Sequence, residues 1–128
     1  MIIDIMSRNQ VLAFSSAPHD EKTAVISISN MGVESPRLTQ RVDNGIIVLL
    51  ELHFDDVESI SPRCMTDRQA RMIAEFVFEF RDKVDRIVVS CEAGISRSAG
   101  VAAAIMKYLN KLPNQHHACV VKLAAAGG

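Results

Sequence analysis

The 128-residue sequence predicts a single α/β domain built on a central, largely parallel sheet of about four strands flanked by helices. Three observations predict it. Short runs rich in β-branched residues at 2–6, 23–29 and 86–90 alternate with segments of helical period, the pattern of strand–helix–strand units. The run at 45–52 (GIIVLLEL) is almost continuously apolar, as expected of a strand covered on both faces. A content of 48% hydrophobic and 23% charged residues suits one packed core and carries no sign of disorder.

Each element follows from its residues. Residues 2–6 (IIDIM) read as a first strand, broken by the polar Ser7–Asn9, and Gln10 to Phe14 supply one or two helical turns. TAVISIS at 23–29 is a second strand that ends in the turn Asn30-Met31-Gly32. Residues 32–44 are polar, contain Pro36 and end before Asn44-Gly45, so they form a loop. Residues 66–84 are the clearest helix: Met72, Phe76 and Phe80 recur at i, i+4, i+8, and Ile73 with Val77 widens that core-facing stripe. Thr66 with Gln69 matches a capping box, and Glu79 with Lys83 is a well-oriented i, i+4 pair. RIVVS at 86–90 is a buried strand, and 97–110 is a helix of small apolar residues that closes on Met106, Tyr108 and Leu109. Residues 1–110 thus make the domain. Residues 111–128 read as a tail, in part foreign to the fold or poorly ordered, and the final KLAAAGG has the composition of a linker.

The bulk numbers exclude several classes. A net charge of -1 and a pI near 6.4 supply no overall basic field for nucleic acid or an anionic membrane. Aromatic residues are 5% and Trp is absent, so there is no base-stacking platform. No apolar run approaches the roughly 20 residues needed to span a bilayer, and the N-terminus lacks the basic leader of a signal peptide. Cys64, Cys91 and Cys119 are odd in number and widely spaced, unlike a disulfide framework. The expectation is a soluble protein of a reducing compartment, the cytoplasm, that partners neither nucleic acid nor membrane.

One segment carries chemistry. Cys91-Glu92-Ala93-Gly94-Ile95-Ser96-Arg97-Ser98 joins a buried strand to a helix N-terminus, the place where ligands bind in such sheets. A thiolate is a nucleophile, and a helix N-terminus with a nearby Arg lowers a Cys pKa from its usual ~8.5. The amides from Glu92 through Ala93, Gly94, Ile95 and Ser96 to Arg97 are able to turn inward as a nest for three phosphoryl oxygens. Gly94 permits the tight bend, and Arg97 offers a planar fork of donors matching two phosphate oxygens. Ser98 is placed to hydrogen-bond the sulfur and stabilise it as a leaving group. Cys-x5-Arg alone recurs by chance; Gly94, Ser98, the strand before and the helix after make the pattern specific.

Here the sequence resembles the cysteine-dependent protein tyrosine phosphatase superfamily, in particular its compact dual-specificity-like bacterial members. The segment IVVSCEAGISRSAGVAAA carries the resemblance most strongly, and element order with LHFDDVE extends it loosely over residues 1–110. It implies that Cys91 attacks phosphorus, that Arg97 and the amides of 92–96 hold the phosphoryl group, and that Ser98 aids hydrolysis of the phosphocysteine. It also implies further helices after the one that starts at the loop. If these are missing, helix 97–110 exposes apolar surface and promotes self-association through the C-terminal region. The family places His immediately before the Cys, where this chain has Ser90; that change bears on rate rather than reaction type.

Ester cleavage also needs a proton for the leaving oxygen. Asp55 and Asp56 follow strand 45–52, roughly where the family has its acid; the resemblance favours Asp56, with Asp55 close behind. The implied substrates are phosphotyrosine in protein or a small aryl phosphate, with the dual-specificity alternative of phosphoserine or phosphothreonine left open, and with no cofactor and no metal. The variable loop positions Glu92, Ala93 and Ile95 hold no Lys, unlike members specialised for inositol phosphates. Two other functions compete: a phosphate-binding module with little catalysis, and a rhodanese-like or arsenate-reducing anion-loop enzyme, which leaves the Asp pair unexplained. His116, His117 and Cys119 have a crude zinc-ligand look but lack a second pair. His53 reads as an exposed loop residue and Cys64 as a bland loop thiol.

Overall fold

The computed structural model describes residues 1–39, 42–57, 63–112 and 120–123. In chain order the elements are β1 (Ile2–Ser7), α1 (Arg8–Ser15), β2 (Thr23–Ser29), β3 (Ile46–His53), α2 (Asp67–Phe80), β4 (Arg86–Cys91), α3 (Ser96–Lys111) and β5 (Val120–Leu123). All five strands are parallel, in the order β3-β2-β4-β1-β5. The expected α/β architecture with a parallel sheet is therefore present, with one strand more than the sequence suggested.

Strand β4 lies at the centre, paired with β2 on one side and β1 on the other. Its alternation fills two cores. Ile87 and Val89 join Ile3, Ile5, Ile26 and Ile28 beneath Ile73 and Val77 of α2 and Val101, Ile105 and Leu109 of α3. Val88 joins Met6 and Val25 on the opposite face, beneath Val11 and Phe14 of α1. Both faces of β2 and β4 are thus buried, their apolar residues interrupted only by small buried polar side chains, Thr23, Ser27 and Ser29 in β2 and Ser90 in β4, after the half-buried Arg86.

Four sequence expectations need correction. Strand β3 is not covered on both faces. It is an edge strand whose residues alternate, with Ile47 50% and Leu49 38% exposed. The eight-residue α1 packs on β1 and β4 and does not reach that far. Helix α2 stops at Phe80 rather than 84, giving way to a turn over 81–83. Val84 still enters the core, and the Lys83 ammonium sits 5.2 Å over the Phe80 ring rather than along the helix. Residues 120–123, read as tail, add β5 beside β1, and so Lys122 and Leu123 of the supposed linker belong to the sheet. Finally, α1 spans eight residues, with Ser7 as its N-cap in a capping box with Gln10. Among the described residues no helix follows α3, and none is long and apolar enough to cross a membrane.

Because every strand runs the same way, their carboxyl ends share one edge of the sheet. Ser7, Asn30, Phe54 and the loop after Cys91 all emerge there, and this convergence positions the site.

Candidate active site

Strand β4 delivers Cys91 into the loop 92–95, and α3 starts at Ser96. The loop folds down onto the end of β1. Gly94 has φ +68, and a Cβ there would lie 2.6 Å from the Met6 carbonyl carbon and 2.8 Å from Ser7 Cα. Both the left-handed backbone and the close approach require glycine. The Arg8 amide donates to the Glu92 carbonyl at 3.3 Å, tying the loop to the start of α1. Gly94 is buried, while Glu92, Ala93, Ile95 and Ser96 are exposed, so the loop presents its outer surface to solvent.

The thiol of Cys91 is 3% exposed. Burial pushes its pKa up. Hydrogen bonds from the Ser98 hydroxyl and from the amides of Ser98, Ile95 and Gly94 outweigh that penalty and hold it below the ordinary cysteine value. Cys91 Sγ and Ser98 Oγ are 3.1 Å apart. The expected Ser98 hydroxyl and amides at the start of α3 are thus among the groups that lower the thiol pKa, while Arg97 is not among them. Helix α3 also differs from its neighbours: α1 and α2 each carry a full capping box, whereas the N-cap of α3, Ile95, supplies no side-chain cap. No side chain caps its first amides, and that of Ser98 serves the Cys91 sulfur.

Replacing Ser98 with Ala removes a charge-assisted hydrogen bond of the kind worth ~1.5–3 kcal/mol. The pH at which iodoacetamide alkylation of Cys91 reaches half its maximum is expected to rise, because the thiolate loses a donor while burial stays. Turnover should fall about 10- to 100-fold. An unchanged alkylation profile measured by mass spectrometry would show that the hydroxyl does not tune the thiol.

Arg97 is half-buried and held from two sides. Its Nη1 donates to Asn30 Oδ1 at 2.7 Å and to the Phe54 carbonyl at 2.9 Å. Nε is buried without a hydrogen-bond partner among the described residues. A buried, oriented and unsatisfied guanidinium donor is costly unless something arrives to accept from it. Asn30 and the Phe54 carbonyl, at the ends of β2 and β3, were not anticipated as site groups. Asn30 read only as a turn residue, and a carbonyl leaves no mark in a sequence.

The two aspartates separate clearly. Asp55 pairs with the Arg63 guanidinium and accepts from the Met31 amide at 3.0 Å. Those two hydrogen bonds hold its carboxyl below the usual carboxylate range, so it stays charged and cross-links the loops. Asp56 instead meets the start of α3, accepting from Ser96 Oγ at 3.0 Å. His53 lies away from the loop at the exposed end of β3, 3.2 Å from Ser35 Oγ. Cys64 is half-buried and forms no disulfide with Cys91. Ser90 is a buried strand residue paired with Met6 and Ser27. His116, His117 and Cys119 lie outside the described residues. Among those described, no cluster of three His, Cys, Asp or Glu side chains is placed to hold a metal.

No protein family, curated protein or solved structure matched the chain.

Proposed function

We propose that this protein is a phosphomonoester hydrolase that works through a phosphocysteine intermediate, acting on phosphotyrosine or a related aryl phosphate. The observation that carries it is a thiol held toward thiolate by Ser98 and three backbone amides, on a loop that also bears the oriented Arg97 with its open Nε.

The steps balance on this chain's own groups. Cys91 thiolate attacks phosphorus, an S–P bond forms and the P–O bond to the leaving group breaks. Asp56, protonated, gives its proton to the departing oxygen. Arg97 and the loop amides carry the charge on the three equatorial oxygens. Water then attacks phosphorus and returns a proton to Asp56, while the sulfur leaves as a thiolate steadied by Ser98. The sum is ester plus water to alcohol plus phosphate.

Wild type is expected to hydrolyse para-nitrophenyl phosphate with vanadate inhibition, and Cys91→Ser is expected to lose this activity. Asp56→Asn should reduce kcat for phenyl phosphate by about 10²–10⁴-fold. Its effect on para-nitrophenyl phosphate should be smaller, because that phenolate leaves with little need of a proton. Asp55→Asn, which removes a structural pair, should stay within roughly tenfold of wild type. If Asp55→Asn proved the more damaging of the two for phenyl phosphate, the acid assignment would have to be reversed.

A further inference from the structure

Beside the phosphate loop runs a groove between α2 and α3 that the chemistry above leaves unused. It encloses about 340 Å³, inside the ~300–1,000 Å³ typical of small-molecule sites. Ile73 and Val77 of α2 face Val101, Ile105 and Tyr108 of α3 across it. Small residues keep it open: Ala70, Ala74, Gly100 and Ala104 line it, and a Cβ at Gly100 would meet nothing within 4 Å. Its charged lining residues, Asp56 and Arg97, stand at one end together with Ser96, at the start of α3. From there to Tyr108 the helix rises about 16 Å, and a lone aryl ring covers about one of those three turns.

Ester cleavage fixes which way a substrate lies. The oxygen that leaves must rest against its proton donor. Asp56 is bonded to the loop through Ser96 and also lines the groove mouth, so the group carried by that oxygen is directed into the groove. An anionic cradle continuous with an apolar trough matches one kind of molecule. We propose that the preferred substrates are amphiphilic phosphomonoesters, with the phosphate on the 91–97 loop and an alkyl or isoprenoid tail between α2 and α3. The inference rests on the phosphatase reading and narrows its substrate class.

The test uses the full chain and para-alkylphenyl phosphates from methyl to octyl, below their aggregation concentrations. Their leaving groups have nearly the same acidity, so only tail burial varies. kcat/KM is expected to rise by up to about fourfold per methylene until the groove is full. Ala104→Phe, which obstructs the groove, should lower the octyl-to-methyl ratio at least tenfold. Binding of alkylphosphonates to Cys91→Ser by calorimetry gives the same comparison without turnover, and affinity should rise with tail length in a way that Ala104→Phe abolishes. Turnover that depends on Cys91 yet ignores tail length, with flat phosphonate affinities, would overturn this proposal and leave the phosphatase standing. Absence of turnover with length-dependent binding would overturn the phosphatase reading, and the substrate assignment with it, and leave the groove as a binding site for amphiphilic phosphates. A flat series together with a dimer that Ala104→Phe dissociates would assign the groove to a second copy of the chain and overturn the proposal.

Discussion

Replacing Arg97 with Ala is expected to lower kcat/KM for an aryl phosphate by about 10³–10⁵-fold, the range found when an arginine that neutralises a transferring phosphoryl group is removed. Two losses combine. The substitution deletes the guanidinium charge together with its buried, unpartnered Nε donor. It also releases Asn30 Oδ1 and the Phe54 carbonyl, which Nη1 ties together across the ends of β2 and β3. Arg97→Lys should recover little, since one ammonium lacks the planar fork that serves both roles. Asn30→Ala separates them: it keeps the charge and loses one of the groups that orient it. A fall of roughly tenfold to a hundredfold, with most of it recovered by Asn30→Asp, is the expected result by steady-state kinetics. Equal activity of Arg97→Ala and wild type would remove Arg97 from the site.

Gly94→Ala should also have a large effect, for steric reasons. A non-glycine residue held in the left-handed region costs ~1–3 kcal/mol, and the added Cβ would overlap the backbone of Met6 and Ser7. The overlap is with β1 itself, a strand of the core, so the loop must give way instead. Lifting it withdraws the Gly94 and Ile95 amides from the Cys91 sulfur. The variant should melt earlier in a thermal scan. Even where it stays folded, it should lose about 100-fold or more in kcat/KM, as displacements of about 1 Å do. The Cys91 alkylation midpoint should move to higher pH, because burial would act without two of the hydrogen bonds that offset it. Gly32 is the control: its φ is +78 but a Cβ there meets nothing within 4 Å, so Gly32→Ala should cost conformational strain alone.

Much of this fold was legible in the sequence, for reasons that can be named. β2 and β4 read as strands because they are short, rich in β-branched residues and nearly free of charge, as strands with both faces buried tend to be. The same kind of run misled at β3. GIIVLLEL reads as interior, yet the strand ends the sheet and leaves Ile47 and Leu49 in partial contact with solvent. Continuous apolarity reports strand character; it does not report how many neighbours a strand has. β5 escaped notice because four residues next to Ala and Gly carry too little pattern. At the site, the loop residues were readable because they are contiguous and each has a chemical use. Asn30 and the Phe54 carbonyl were not, since only the parallel sheet brings the ends of β2 and β3 to α3. Asp55 and Asp56 are adjacent and alike in sequence. Arg63, eight residues further on, separates them by claiming Asp55. Ser90 stands in a fully buried strand position where the resembled family has His, and the hydrogen bonds on Cys91 come from the loop and Ser98 instead.

In the proposed reaction Cys91 itself carries the phosphoryl group. Acid-quenching the enzyme during turnover of a radiolabelled aryl phosphate, followed by digestion and peptide mapping, tests it most directly. Label is expected on the peptide that contains Cys91, retained at neutral pH as a thiophosphate ester and absent from Cys91→Ser, which should also be inactive. Full hydrolytic activity in Cys91→Ser, or label on any other residue, would contradict it.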